Sequence, residues 1–284
     1  MSPTPGIPIC LILILICYQA AALHKTICDD MCHCHDNEVD CSAQLGDLHD
    51  LHELTANIPN DTDTLDVSSN QIEFIGDAFY HLPVLQKLNV ANNKIATQYG
   101  LPSSLTGLYG QNNKLTDIFG MFNNTTNLEI VDLTNNQISS IQNGTFFNCG
   151  RLVELTLSGN PLTQLYDGAF TGLSHLLKLY LRDVHLKSLH KESLKGLPRV
   201  LWEFVIRAPY LCYIEPGLFD FTTLSFSSIS SDCLRNLSGR IFSAANNSYV
   251  GSIHIEFTPL QEISQNAFDG ISSFFWTRPY KVFM

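Results

Sequence analysis

The stretch LVELTLSGNPLTQLYDGAFTGL, residues 152–173, decides the architecture. Its apolar residues stand at Leu152, Leu155, Leu157, Leu162, Leu165, Phe170 and Leu173, with Asn160 between them. Leu155 and Leu157 are two apart, so in a strand they share one face while Thr156 takes the other. One such strand cannot bury its leucines alone. Stacked copies can, with neighbouring strands ~4.8 Å apart. Each inward leucine then contributes roughly 1.5–3 kcal/mol of burial.

The same spacing recurs in both directions. The next copy runs through Leu176, Leu179, Leu181, Leu186, Leu189, Leu194 and Leu197. The preceding one runs through Leu128, Val131, Leu133, Asn136, Ile138, Ile141, Phe146 and Cys149. Earlier copies start at Thr62, Leu85 and Leu105, and later ones at Leu201, Leu224 and Val250. Nine repeats of 20 to 26 residues result, over residues 62–272. Such a period marks a solenoid, in which each repeat packs only on its neighbours. Asn70, Asn93, Asn113, Asn136 and Asn160 recur at the turn after the strand, and Val184, Pro209, Asp232 and Thr258 stand there later. A second column, Phe79, Phe122, Phe146, Phe170, Phe219, Phe242 and Phe268 with Leu194 substituting once, reads as an aromatic spine.

The pattern L-x-x-L-x-L-x-x-N-x-L resembles the leucine-rich-repeat family. That resemblance implies an α/β solenoid: a curved horseshoe with a parallel β-sheet on its concave face and short irregular or 3-10 segments on its convex face. It also implies that the asparagines form a ladder satisfying backbone groups of adjacent turns. Buried backbone polar groups need such partners in any fold.

Both ends of a solenoid need caps. Residues 23–61 carry Cys28, Cys32, Cys34 and Cys41, similar to the amino-terminal cysteine flank of extracellular members of this family, although Asp29 stands where the family has Pro. Four cysteines permit three pairings; the resemblance implies Cys28–Cys34 and Cys32–Cys41. Metal binding is the competing reading, because His33 and His35 interleave with the thiols. Cys149 occupies a core position, while Cys212 and Cys233 fall close together in neighbouring repeats, which allows a further disulfide. No cysteine follows Cys233, so residues 273–284 read as a divergent tail without a carboxyl-terminal cysteine cap. A solenoid ending on Val250, Ile253 and Ile255 exposes an apolar edge that invites self-association. A truncated or spliced chain is the first expectation for that end, with a noncovalent cap or dimerisation through it as the alternatives.

Residues 1–22 read as a signal peptide, with an apolar run from Ile9 to Cys17 and a small-x-small site at Ala20 and Ala22. No segment is long enough for a membrane span, which needs ~20 apolar residues. The expected product is secreted, or held at the cell surface if a longer product continues into an anchor. Asn60, Asn123, Asn124, Asn143, Asn236 and Asn246 begin glycosylation sequons.

The net charge of −11 argues against a nucleic-acid ligand. No catalytic fingerprint or cofactor motif emerges, so the chain reads as a non-enzyme without a cofactor, with a metal-binding or enzymatic protein as the remote alternative. The expected function is extracellular recognition of another protein, or of a glycan or lipid. It would be a soluble repeat protein or the ectodomain of an adhesion or innate-immune type receptor. The alternative is a structural matrix protein similar to small leucine-rich proteoglycans. Contact residues are computable as the strand positions beside the inward leucines. In the first half they are bland and polar, among them Asp66, Asn89, Tyr109, Gln111 and Asp132. In the second they include Tyr180, Arg182, Glu203, Val205, Arg207, Phe226 and His254. Aromatic and Arg side chains dominate binding hot spots, which places the expected partner on repeats six to nine.

Overall fold

A computed structural model describes residues 27–97, 100–241, 250–256, 258–268 and 271–277. The signal-peptide segment, Phe242 and Asn246 lie outside the described residues.

One sheet of twelve strands runs through the molecule. Its first two strands, His33–His35 and Glu38–Asp40, pair antiparallel and belong to the cap. Every later pairing in that sheet is parallel. The register stacks like on like: Leu65, Leu88, Leu108, Val131, Leu155, Leu179, Phe204, Ser227 and Ile253 form one continuous row. All are buried in the core, as the two-residue alternation requires. Ser227 is the chemical exception. Its Oγ is buried without a hydrogen-bond partner.

Two devices hold the first half. Each asparagine of the recurring turn position bonds through its side chain to backbone on both sides of a coil junction. Asn93 Nδ2 is shared among the carbonyls of Val67, Val90 and Ala91 at 3.0, 3.1 and 3.2 Å, and its Oδ1 accepts the Ile72 N–H at 3.0 Å. Asn70, Asn113, Asn136 and Asn160 repeat this arrangement. The second device is a column just before it. Ser69, Asn92, Asn112 and Asn135 all turn the chain at φ of 55–59°. Asn135 donates to Asn112 at 2.8 Å, and Asn112 donates to Asn92 at 2.7 Å. Asparagine tolerates this left-handed backbone better than most residues. Gly159 and Asp183 continue the left-handed turn at φ of 69° and 56°, but the side-chain relay stops at Asn135, whose Oδ1 a Cβ on Gly159 would collide with.

Past Asn160 the ladder stops, and the strands lengthen. Strands in the first half of the sheet are three residues long, whereas Val200–Arg207 and Thr223–Ser230 have eight each and Val250–Glu256 and Ile271–Thr277 have seven. Ser231 partly replaces an asparagine: its hydroxyl donates to Leu211 O at 2.7 Å and accepts the N–H groups of Cys233 and Leu234. A disulfide joins Cys212 and Cys233, with Cα atoms 4.7 Å apart.

The aromatic column packs as a spine. Phe79, Phe122, Phe146, Phe170 and Phe219 are buried, and the Phe122–Phe146 and Phe146–Phe170 centroids lie 5.5 and 6.4 Å apart. Three short parallel pairs line another wall, such as Ser140–Ile141 with Gln164–Leu165.

One sequence-based expectation is corrected. The apolar edge at Ile253 and Ile255 is not bare. A further strand, Ile271–Thr277, pairs parallel with Val250–Glu256, placing Phe274 and Trp276 at the register of Ile253 and Ile255. Both isoleucines are fully buried. The separation from Ile253 to Phe274 falls within one repeat period, so residues 273–277 of the stretch read as a tail continue the ladder.

Candidate binding surface

The open face of the sheet is built from positions that alternate with the buried row. In the first half several side chains bond to one another or to their own turn, while Gln111 Oε1 is buried without a partner. Asp66 accepts the Ser68 N–H at 2.8 Å and the Asn89 amide at 2.7 Å. Asp132 accepts the Thr134 N–H at 2.9 Å. Gly107 leaves a gap on this face, and the Tyr109 ring lies across it, 3.4 Å from where a Cβ would stand. The result is a hollow of about 310 Å³ walled by Asp66, Lys87, Asn89, Tyr109 and Gln111.

The second half is chemically richer. The strand register sets Lys178 beside Glu203, Tyr180 beside Val205, and Val205 beside Ser228 and then His254. Tyr180 donates its hydroxyl to Glu203 Oε2 at 2.7 Å. Arg182 lies over the Tyr180 ring, 5.1 Å from its centroid, the geometry of a cation–π contact. Burial first, and then the hydrogen bond and negative charge of Glu203, hold the Tyr180 phenol well above its ordinary pKa. It therefore stays a donor at all physiological pH. Lys178 pairs with Glu154 at 3.1 Å and Arg207 with Asp183 at 3.3 Å. Phe226 and His254 rings sit 5.1 Å apart, and His254 Nδ1 is 3.8 Å from Glu256.

Of the sequence-predicted contact residues, Arg182 and Arg207 are exposed, and Tyr180, Glu203, Phe226 and His254 are half-buried on the open face. Val205 differs. It is only 5% exposed, because its short side chain sits in a row with Tyr180. It supports the surface and offers little to a partner. Trp202, 56% exposed, was not among the expected positions. The repeat spacing starts the strand at Glu203, whereas the strand runs back to Val200. The only sequence signal was a Trp off the repeat pattern.

The cap thiols are consumed in Cys28–Cys34 and Cys32–Cys41, so they are not metal ligands. His33 and His35 are exposed on the first strand. Cys149 is buried, and its thiol pKa is pushed up to about 11 by burial, which leaves it an inert core residue. Among the described residues no helix is long and apolar enough to cross a membrane.

A leucine-rich-repeat family model matches residues 103–162 and 150–202. This is a leucine-rich-repeat chain. Its cysteine flank precedes the repeats and pairs as the resemblance implied. Leucine-rich repeat-containing protein 3B of Danio rerio is 28% identical over 154 residues, 50% of this chain and 49% of that protein. Leucine-rich repeat-containing protein 3 of Danio rerio is 35% identical over 92 residues, 31% of this chain and 32% of that one. The leucine-rich-repeat chain thus spans about half, or less, of the length of these relatives. Among solved structures, the octameric complex of Latrophilin 3, Unc5D and FLRT2 (LRR) matches with a TM-score of 0.66 at 19% identity, over 87% of this chain and 76% of the matched one. The TLR13–ssRNA13 complex matches with a TM-score of 0.52 at 20% identity, over 80% of this chain and 45% of that one. At these identities the likeness shows the fold.

Proposed function

We propose that this chain is an extracellular recognition module that binds a protein partner on the concave face of its second half. The single observation that carries this reading is the connected group of Tyr180, Arg182 and Glu203, flanked by the Phe226–His254 ring pair. Exposed Arg207, on the same strand as Glu203, extends it. Aromatic and Arg side chains held rigid by their neighbours lose little entropy on binding, which is what a hot spot requires. The first half offers no comparable group. There Asp66 and Asn89 are spent on each other and Asp132 on its own turn.

The disulfides support an oxidising compartment. FLRT2 is found assembled with Latrophilin 3 and Unc5D, which supports a protein as the partner class here. The repeat spacing accounts for the side chains without any catalytic constellation, and recognition needs none.

The test is a screen of the purified chain against an array of cell-surface ectodomains. Tyr180→Ala with Arg182→Ala should weaken every specific hit by roughly 30-fold, a hot-spot loss of about 2 kcal/mol. The control pair Asn89→Ala and Asp132→Ala should change binding little. Equal affinity for wild type and the Tyr180/Arg182 variant contradicts the proposal.

A further inference from the structure

Three hollows on the walls away from the concave face share one pair of features: a sequon asparagine and an exposed tyrosine. The largest, about 1010 Å³, is lined by Asn143, Tyr166, Asp167, Lys187, Ser188 and His190, with Phe119 at its far side. A second, about 460 Å³, holds Asn123, Asn124 and Tyr80. The third, about 400 Å³, holds Asn236, Tyr213 and Ile263. Tyr80, Tyr166 and Tyr213 are 59%, 46% and 44% exposed, so each offers ring surface to a neighbour. The concave hollow around Tyr109 contains no sequon.

The geometry is clearest at Asn143. The Ser140–Ile141 and Gln164–Leu165 pair sets this coil against the next, and the Tyr166 N–H donates to Ile141 O at 3.0 Å. Asn143 is exposed and its amide leans onto the following coil, where a Cβ on Gly168 would stand 3.2 Å from Asn143 Nδ2. Glycine is required there by a φ of 70°, and it also leaves the amide room. A group attached at Nδ2 therefore starts in the groove that Tyr166 also lines.

We infer that glycans attached at these sequons are seated on the tyrosines, with the first N-acetylglucosamine on Asn143 lying against the Tyr166 ring. The inference rests on the secretory reading above. The linkage forms when Asn143 Nδ2 attacks the anomeric carbon of a lipid-pyrophosphate-linked oligosaccharide. The lipid pyrophosphate leaves and the amide nitrogen gives up one proton. The pyranose ring presents a face of C–H groups that covers apolar aromatic surface. Its hydroxyl and acetamido groups meet Asp167, Lys187 and Ser188 along the same groove. Sugars so placed close the side walls and leave the concave sheet as the open recognition surface.

The test uses the full chain secreted from animal cells behind its own leader, with glycopeptide mapping at each sequon. A glycan at Asn143 should be released by a peptide-N-glycosidase under native conditions about fivefold more slowly than one at Asn60, a difference that converts to about 1 kcal/mol. Tyr166→Ser, at an exposed position, should restore the faster rate, and unfolding should abolish the difference in both proteins. Asn143 bare while Asn60 is modified overturns the inference. So does equal release at the two sites, or a Tyr166→Ser protein that releases as slowly as wild type. A chain that is retained in the cell with every sequon bare overturns the secretory reading and this inference together.

Discussion

The coils up to Asn160 and the coils after it solve one problem in two ways. Every coil of a solenoid buries backbone N–H and C=O groups at its turn, and each needs a partner. In the first half a side chain reaches in. Asn136 meets the carbonyls of Gly110, Leu133 and Thr134 and the N–H of Leu115. In the second half Val184, Pro209, Asp232 and Thr258 stand at that place, and none of them repeats the asparagine bonds. There the backbone pairs with itself over longer strands, helped by Ser231 and the Cys212–Cys233 clip. The difference has a functional side. A longer strand presents more open-face positions per coil: Glu203, Arg207, Phe226 and His254 lie on such strands, beside Tyr180 on the four-residue strand Lys178–Leu181.

Substitution breaks the comparison most sharply at the ladder. Asn136→Ala leaves several buried backbone groups unpaired and should cost roughly 3 kcal/mol in denaturant unfolding, given ~1–3 kcal/mol for each buried group left unsatisfied. Asp232→Ala, at the equivalent but exposed place, should cost under about 0.5 kcal/mol. Similar losses at both sites would mean that the two halves are not built differently. Next in size is the clip. Cys212→Ser with Cys233→Ser opens a loop spanning 21 residues of separation and should cost about 2–3 kcal/mol. Limited proteolysis should then cut the second half while the first stays intact. The smallest effect has the opposite sign. Ser227 interrupts an apolar row with a partnerless hydroxyl, so Ser227→Ala should raise stability by about 1 kcal/mol, read as a shift of the urea midpoint.

Spacing alone made much of this legible. Leu155, Thr156 and Leu157 gave the strand and its two faces, and the recurring asparagine and phenylalanine marked a ladder and a spine. What escaped were features that the period does not encode. The left-handed column at Ser69, Asn92, Asn112 and Asn135 was visible as repeated Ser-Asn and Asn-Asn pairs, but only one member of each pair was read. Strand lengthening at Val200 is set by pairing with neighbours, so exposed Trp202 carries no local signal beyond being a Trp off the repeat pattern. Burial of Val205 depends on its row across the sheet, which a linear pattern does not show. The strand at Ile271–Thr277 lacks the leucines and asparagine that define the repeat, and only its distance from Ile253 links it to the series.

Amide hydrogen exchange on wild type and Asn136→Ala, followed by mass spectrometry, tests the two-solution account most directly. Peptides around Leu115 and Ile138 should lose protection in the variant, while those covering Val200–Arg207 and Thr223–Ser230 keep theirs. Equal loss of protection along the whole sheet, or none near Leu115, would contradict it.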